Sequence, residues 1–162
     1  MSVLHVLSRE AQDVPLLNGR LDGAKVRQLL DRVVPASSLD YWRQRFDVAG
    51  YPYTERERFG ERMLVFENPG HIEYELVGIA DDDRKPWTGS GVPSDMGIRG
   101  THGITVSVRD LEQSFDFMEA GWNGHATHQE GNYQRYEVGK GGSGTIVDFR
   151  HDPDLPAGSW TF

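Results

Sequence analysis

Glu75, His102, Asp148 and the pair His125/His128 are the side chains whose types and spacing could do chemistry in this sequence. Glu73 and Glu75 alternate with Ile72, Tyr74 and Leu76, so a strand here puts both carboxylates on one face and the apolar residues on the other. That face either lines a cleft or is a wet sheet surface. His102 opens a run in which Ile104, Val106 and Val108 alternate with Gly103, Thr105 and Ser107. Strict alternation groups His102 with the apolar set, facing a helix layer as a hydrogen-bonded structural histidine, unless a bulge turns it the other way. Asp148 alternates with Ile146 and Arg150 and can ligate an ion or simply pair with Arg150. His125 and His128 lie three residues apart on one strand and so face opposite sides. One of them at most looks into a cleft, and His128 is the candidate acid/base group, with Tyr136 beside it.

Composition limits what these groups can be. The 162 residues contain no cysteine, which removes disulfides, thiol catalysis and Cys-ligated zinc, so any metal must sit on His, Asp or Glu. The formal net charge of −8 argues against a phosphate-backbone partner and against an anionic membrane surface. No apolar run approaches the roughly 18 residues of a membrane span, and the N-terminus lacks the charged start and apolar stretch of a secretory signal. A cytoplasmic protein is the expectation. The length suits one domain, and the abundance of glycine suits a strand-rich one.

The elements that must position these side chains come in a repeating order. Residues 37–46 form a capped helix, with Leu39, Trp42 and Phe46 on one face and Gly50 closing it. Strands follow over 51–58, 63–67 and 72–77, with turns at Gly60 and Asn68-Pro69-Gly70. After a connector rich in Pro, Gly and Asp, a strand over 103–108 runs through Asp110, a helix cap, into a helix over 111–120. Strands over 124–129, 133–138 and 145–149 complete the second unit. Residues 25–34 read as a helix by the spacing of Val26, Leu29, Leu30, Val33 and Val34. Asp81-Asp82-Asp83 is a solvated acidic run, and Gly139 to Gly144 is a hairpin turn rather than a phosphate loop, because no helix follows it. Trp42, Trp87, Trp122 and Trp160 serve as core or anchoring residues, with Trp87 or Trp160 able to stack on a ligand or a second subunit. His5, His71 and His151 read as surface residues.

The strand, Asp cap and helix with Phe115-Asp116-Phe117 resemble the start of a βαβββ module of the vicinal oxygen chelate superfamily, which includes glyoxalases, bleomycin-resistance proteins and extradiol dioxygenases. Two sets of segments resemble more closely the middle of the four-module ring-cleaving dioxygenases of the hydroquinone type. The first set is Ser38-Leu39-Asp40-Tyr41-Trp42-Arg43, Arg58-Phe59-Gly60-Glu61-Arg62, Phe66-Glu67-Asn68-Pro69 and Glu75-Leu76-Val77. The second is Ile98 to Thr105, Ile146 to Arg150 and Asp152-Pro153-Asp154. The resemblance implies an α+β fold in which paired βαβββ modules form a half-open barrel. It divides the chain into an arm (1–24), a first module (25–80), a linker (81–97), a second module (98–151) and a tail (152–162). It also assigns residues 31–34 to the first strand of a module, against the helical spacing, and both readings stand at this point. The match is to the second and third modules of the longer enzymes, so the chain is expected to be the central half of such a protein or a diverged single-domain relative.

In the superfamily, His, Glu or Gln at one position of each module's first and last strands hold a divalent metal, and the resemblance implies Fe or Mn here. Glu75 fits the closing carboxylate of the first module and Asp148 that of the second. The imidazole expected seven residues before Asp110 falls on Gly103, which leaves His102 one residue early. Three functions follow as expectations: a ring-cleaving dioxygenase or glyoxalase-like enzyme, a metal-free small-molecule binder, or an inactive structural module. The open sheet edges of such a fold also suggest a homodimer.

Overall fold

The computed structural model describes residues 28–69 and 72–154. His5, His71, Trp160, the expected arm and most of the expected tail lie outside them. Eight strands form one mixed, curled sheet in the order β2-β3-β4-β1-β5-β8-β7-β6. They are β1 (Gln28–Pro35), β2 (Thr54–Arg58), β3 (Glu61–Glu67), β4 (Glu73–Ile79), β5 (Gly100–Val108), β6 (Gly124–Glu130), β7 (Tyr133–Val138) and β8 (Ile146–His151). Helix α1 (Leu39–Ala49) follows β1, and α2 (Leu111–Asp116), continued by a wide turn over Phe117–Gly121, follows β5. Each module is thus β-α-β-β-β, and the strand order reads the same from either edge.

Residues 28–35 are a strand. The helical spacing there comes from position: β1 sits mid-sheet, paired in parallel with β4 and antiparallel with β5. A central strand buried on both faces carries a near-continuous apolar run that period alone does not separate from a helix. The ends of the helices follow the expected chemistry only in part. Gly50, at φ 62°, closes α1, and the Asp110 side chain accepts a hydrogen bond from the Glu112 N–H at 2.9 Å. At the start of α1, however, Ser38 Oγ donates to the Pro35 carbonyl at 2.7 Å instead of capping.

The sheet has two unlike faces. Against α1, Val34, Leu64, Phe66, Tyr74 and Leu76 pack with Leu39, Trp42 and Phe46. The connector joins this core: Val92 and Ile98 are buried in it, and Trp42 Nε1 donates to the Met96 carbonyl at 2.8 Å. Trp87 packs on the same core. Against α2 lie Met118, Tyr136, Val147 and Phe149, flanked by half-buried Ile104, Val106, Leu111 and Phe115. Met63, Val65 and Val77 form a small apolar cluster on the opposite, concave face, where Val33 and Ile146 are also buried among polar side chains. At the edges, β2 exposes Thr54, Glu55, Arg56 and Glu57, and β6 is exposed over most of its length. Charged, polar edges of this kind resist strand addition. No described helix is long and apolar enough to cross a membrane.

Candidate functional site

On the concave face, one residue from each module's first and last strand converges. Asp31 on β1 lies beside Glu75 on β4, and Thr105 on β5 beside Asp148 on β8. All four are fully buried. The alternation places Glu75 here with Val77, while Tyr74 and Leu76 go to the helix side, so Glu75 is a buried carboxylate and not part of a wet face.

Arg58, the last residue of β2, sits in the middle of this group. Its Nη1 and Nη2 donate to the two Glu75 oxygens at 3.2 and 2.7 Å, and its Nε donates to Asp148 Oδ2 at 3.3 Å. Nη2 also reaches Thr105 Oγ1 at 3.4 Å and lies 3.9 Å from Asp31 Oδ2. A second guanidinium closes the far side: Arg135 of β7 grips Asp148 with two bonds of 2.8 and 2.9 Å and meets Glu61 at 2.9 Å. Such bidentate pairs have the geometry that makes arginine effective in buried ion pairs. Asp148 therefore pairs with Arg58 and Arg135, and Arg150 turns instead to Asp152 at 3.7 Å.

The two arginines cross between modules. Arg58 of the first reaches Asp148 of the second, and Arg135 of the second reaches Glu61 of the first. The tight β2–β3 turn delivers Arg58 there. Phe59 and Gly60, at φ 54° and 74°, are the two central residues of a two-residue hairpin loop, whose positive φ values match the twist of the strands. The Phe59 ring lies under Arg135 at 4.5 Å, the Tyr133 ring lies under Arg58 at 4.8 Å, and the Phe59 N–H donates to Glu130 Oε2 at 2.6 Å. One turn of the first module thus spans the concave face and touches the outer strand of the second.

The electrostatics follow from burial. Desolvation, then the Glu75 charge, raises the Asp31 carboxyl well above the ordinary 3.8, and Arg58 only partly opposes this. Burial would also raise Glu61, but hydrogen bonds and charges from His102 and Arg135 win and hold it at about 2. Both guanidinium groups stay charged: burial opposes that charge, but their carboxylate partners outweigh it.

Two bulges decide where the histidines point. On β5 the register with β1 shifts between Asp31 and Arg32, whose partners are Gly103 and Thr101, so His102 is the unmatched residue. Alternation would send it to the helix side. The bulge turns it to the concave side, where its Nε2 meets Glu61 at 3.2 Å and its Nδ1 meets Ser143 Oγ at 2.8 Å. On β6 a second shift skips Thr127, so that His125 pairs with Glu137 and His128 with Arg135. Cross-strand partners share a face, so both histidines project to the concave side, contrary to the expectation from their spacing. Both are exposed, and the His128 ring sits 5.9 Å from Phe59. Tyr136 goes to the other layer, among Phe115 and Phe149, with its hydroxyl on Glu119 at 3.2 Å. Burial, then that carboxylate, pushes its phenol up to about 12.

The donor set does not fit a divalent metal. Arg58 already occupies the space between Glu75 and Asp148, and among the described residues no group of three or more His, Asp or Glu is arranged to hold an ion. Gly103, where an imidazole was expected by register, has no room for one: a Cβ there would lie 3.0 Å from the Ile146 side chain and carbonyl. Arg58 and Arg135 are the residues that sequence reasoning passed over. The signal was present, since Arg58-Phe59-Gly60-Glu61 is one of the segments that carries the family resemblance.

Beyond the ion pairs, a hollow of about 420 Å³ opens at one end of the concave face, lined by Glu61, His102, His128, Arg135, Arg84 and Ser143 among others.

No family model matches the chain. It is 33% identical over 129 residues to a chlorohydroquinone/hydroquinone 1,2-dioxygenase of Sphingobium indicum, a match covering 78% of this chain and 40% of that one. It is 29% identical over 121 residues to MhqO of Bacillus subtilis, a protein named as a ring-cleaving dioxygenase, covering 75% and 38%. Among solved structures, a Bacillus subtilis protein named as a dioxygenase superposes with a TM-score of 0.71 at 28% identity, over 80% of this chain and 41% of that one. Glyoxalase I of Zea mays superposes with a TM-score of 0.54 at 13% identity, over 77% and 43%, a likeness of fold alone. The chain spans about two fifths of the length of these relatives.

Proposed function

We infer that this chain, a sequence relative of ring-cleaving dioxygenases with the paired-module fold they share with glyoxalases, works as a metal-free structural half of that architecture and not as its ring-cleaving centre. The observation that carries this reading is the Arg58 guanidinium lodged among Glu75, Asp148 and Thr105, where one residue from each module's first and last strand converges. Ring cleavage needs a group that binds and polarises substrate and oxygen. Here the buried carboxylates are spent on arginine, and Tyr136 lies in the other layer with its proton held to about 12. What the cluster does is join two modules by reciprocal ion pairs. In a ring-cleaving protein of this family the half-barrel would serve as scaffold, and the reacting groups would come from elsewhere.

Elemental analysis of protein purified without chelator and then refilled with Fe(II) or Mn(II) tests this. The expected result is no stoichiometric metal, a melting midpoint unmoved by chelator, and no oxygen uptake with hydroquinones. One equivalent of Fe or Mn that disappears in Glu75→Gln would overturn it. The hollow beside His102 and Arg135 supports a second reading, a metal-free small-molecule binder, since its size falls in the range of ligand pockets. Calorimetric binding of a hydroquinone that persists in chelator and is lost in Arg135→Met would favour that reading over pure scaffolding.

A further inference from the structure

We propose that the hollow at the C-terminal end of α1, walled by Tyr51 and Tyr53 over Phe46 and carrying the Asp47 carboxylate, binds a small organic cation of the quaternary alkylammonium class. The hollow lies on the helix side of the sheet, so it stands independently of what the concave face does.

The site begins with the way α1 ends. Gly50 turns the chain in the left-handed conformation and its N–H donates to the Asp47 carbonyl at 3.1 Å. The Tyr51 N–H donates to the Phe46 carbonyl at 2.9 Å. The turned chain leaves a hollow of about 330 Å³ lined by Phe46, Asp47, Gly50, Tyr51, Pro52 and Tyr53. The buried Phe46 ring is its floor, with the Tyr51 ring centroid 5.8 Å away and that of Tyr53 5.6 Å. Both tyrosines are half-exposed, and their hydroxyls hold them in place. Tyr51 donates to the Glu67 carbonyl at 2.5 Å and Tyr53 to Asp47 Oδ1 at 3.1 Å. The walls are therefore set before any ligand arrives, which lowers the cost of binding.

Electrostatics choose the ligand. The C-terminal end of a helix carries partial negative charge, so a cation there is favourable and an anion is not. Helix α1 does the opposite: its last turn holds Asp47 and no basic residue. The arginines of the preceding turn are committed elsewhere, Arg43 to Asp40 and Glu55, and Arg45 to the Tyr41 hydroxyl and the Ser90 carbonyl. No cation among the described residues pairs with Asp47. The tyrosine ring faces add a further source of negative potential. A single carboxylate supplies too few ligands for a metal ion. An alkylammonium suits the lining better, because its charge is spread over methyl groups that pack on aromatic faces while the carboxylate and the helix end neutralise it. The volume is at the low end of ligand pockets and limits the cation to roughly the size of choline.

The test uses the full chain and choline, followed by the NMR signal of the choline methyl protons, which moves upfield when they lie over aromatic rings. The expected result is saturable binding, with a melting midpoint that climbs as choline fills the site. The neutral isostere, with a tert-butyl group in place of trimethylammonium, keeps the shape without the charge and should bind about tenfold more weakly. Tyr53→Leu removes a wall and should also cost about tenfold, whereas Tyr53→Phe keeps the ring and should stay within about threefold. Asp47→Asn should weaken binding about fivefold. Without choline, the same variant should raise the melting midpoint, since it removes an anion from the negative end of a helix. Asp47→Asn and Tyr53→Phe leave the packing intact, so they carry the test if Tyr53→Leu does not fold. No methyl shift at tens of millimolar choline overturns the proposal. So does equal binding of the neutral isostere, which would make the hollow a plain apolar one. Binding that neither Tyr53→Leu nor Asp47→Asn weakens would place choline elsewhere and overturn it as well.

Discussion

On the helix side of the sheet, Trp42, Phe46, Phe66 and Leu76 fill space against one another and need only the right volume and polarity. On the concave side, Arg58, Arg135, Asp148, Glu75 and Glu61 must each meet a particular partner at a particular atom. The same eight strands carry both faces. The apolar face removes surface from water and supplies most of the stability. A buried ion-pair cluster returns little net stability, because desolvating its charges offsets their attraction. It does fix how the first module sits on the second, since two of its ion pairs cross between them.

The largest test of this contrast lies on the helix side. Trp42→Ala should destabilise by about 3–5 kcal/mol for the lost ring. It also strips the Met96 carbonyl of its Nε1 donor. Chemical denaturation should show the midpoint falling with the slope unchanged. A loss below about 1 kcal/mol would mean that this core is not where the stability resides.

On the concave side the size of the effect depends on how the cluster is cut. Arg135→Met alone leaves Asp148 and Glu61 without their short bonds and should cost about 3 kcal/mol, as for one partner removed from a buried pair. Replacing Arg135, Asp148 and Glu61 together by apolar residues of similar volume should cost far less, and could stabilise. Denaturation of the single and the triple variant separates the two accounts. If the triple loses as much as the single, the ion pairs are a main source of stability and the contrast between the faces fails.

This contrast also explains what the sequence could and could not reveal. Most elements were legible because the helix-side face obeys simple periods: Leu39, Trp42 and Phe46 at spacings of three and four, and Tyr74 and Leu76 at two. Residues 28–35 defeated that reasoning only because a doubly buried strand has no polar side to mark its period. The concave face obeys no period. His102 is turned inward by one unmatched residue on β5, and His125 and His128 share a face because Thr127 is skipped on β6. A bulge leaves no mark in the alternation that it breaks, so residue spacing sent His102 to the wrong side and set His125 and His128 on opposite faces. Glu75 and Asp148 were found by alternation and resemblance, but not their partner, Arg58, whose strand comes from a distant edge of the sheet.

The smallest expected effect separates the faces by pH, because the carboxylates Asp31 and Glu61 lie on the concave one. The Asp31 carboxyl is raised in the folded chain, so its contribution is complete below its unfolded value and is lost as pH rises through the folded one. Glu61 is the reverse: held at about 2, it contributes fully above the unfolded carboxylate range, and that contribution fades as pH falls from there toward 2. The melting midpoint should therefore drop on both the acid and the alkaline side. Asp31→Asn preserves the shape of the neutral carboxyl without its ionisation, so it should flatten the alkaline limb and leave the acid limb to Glu61. Melts across the pH range read this directly. An Asp31→Asn curve that still falls in parallel with the natural one on the alkaline side would show that Asp31 is not the group whose ionisation the buried cluster resists.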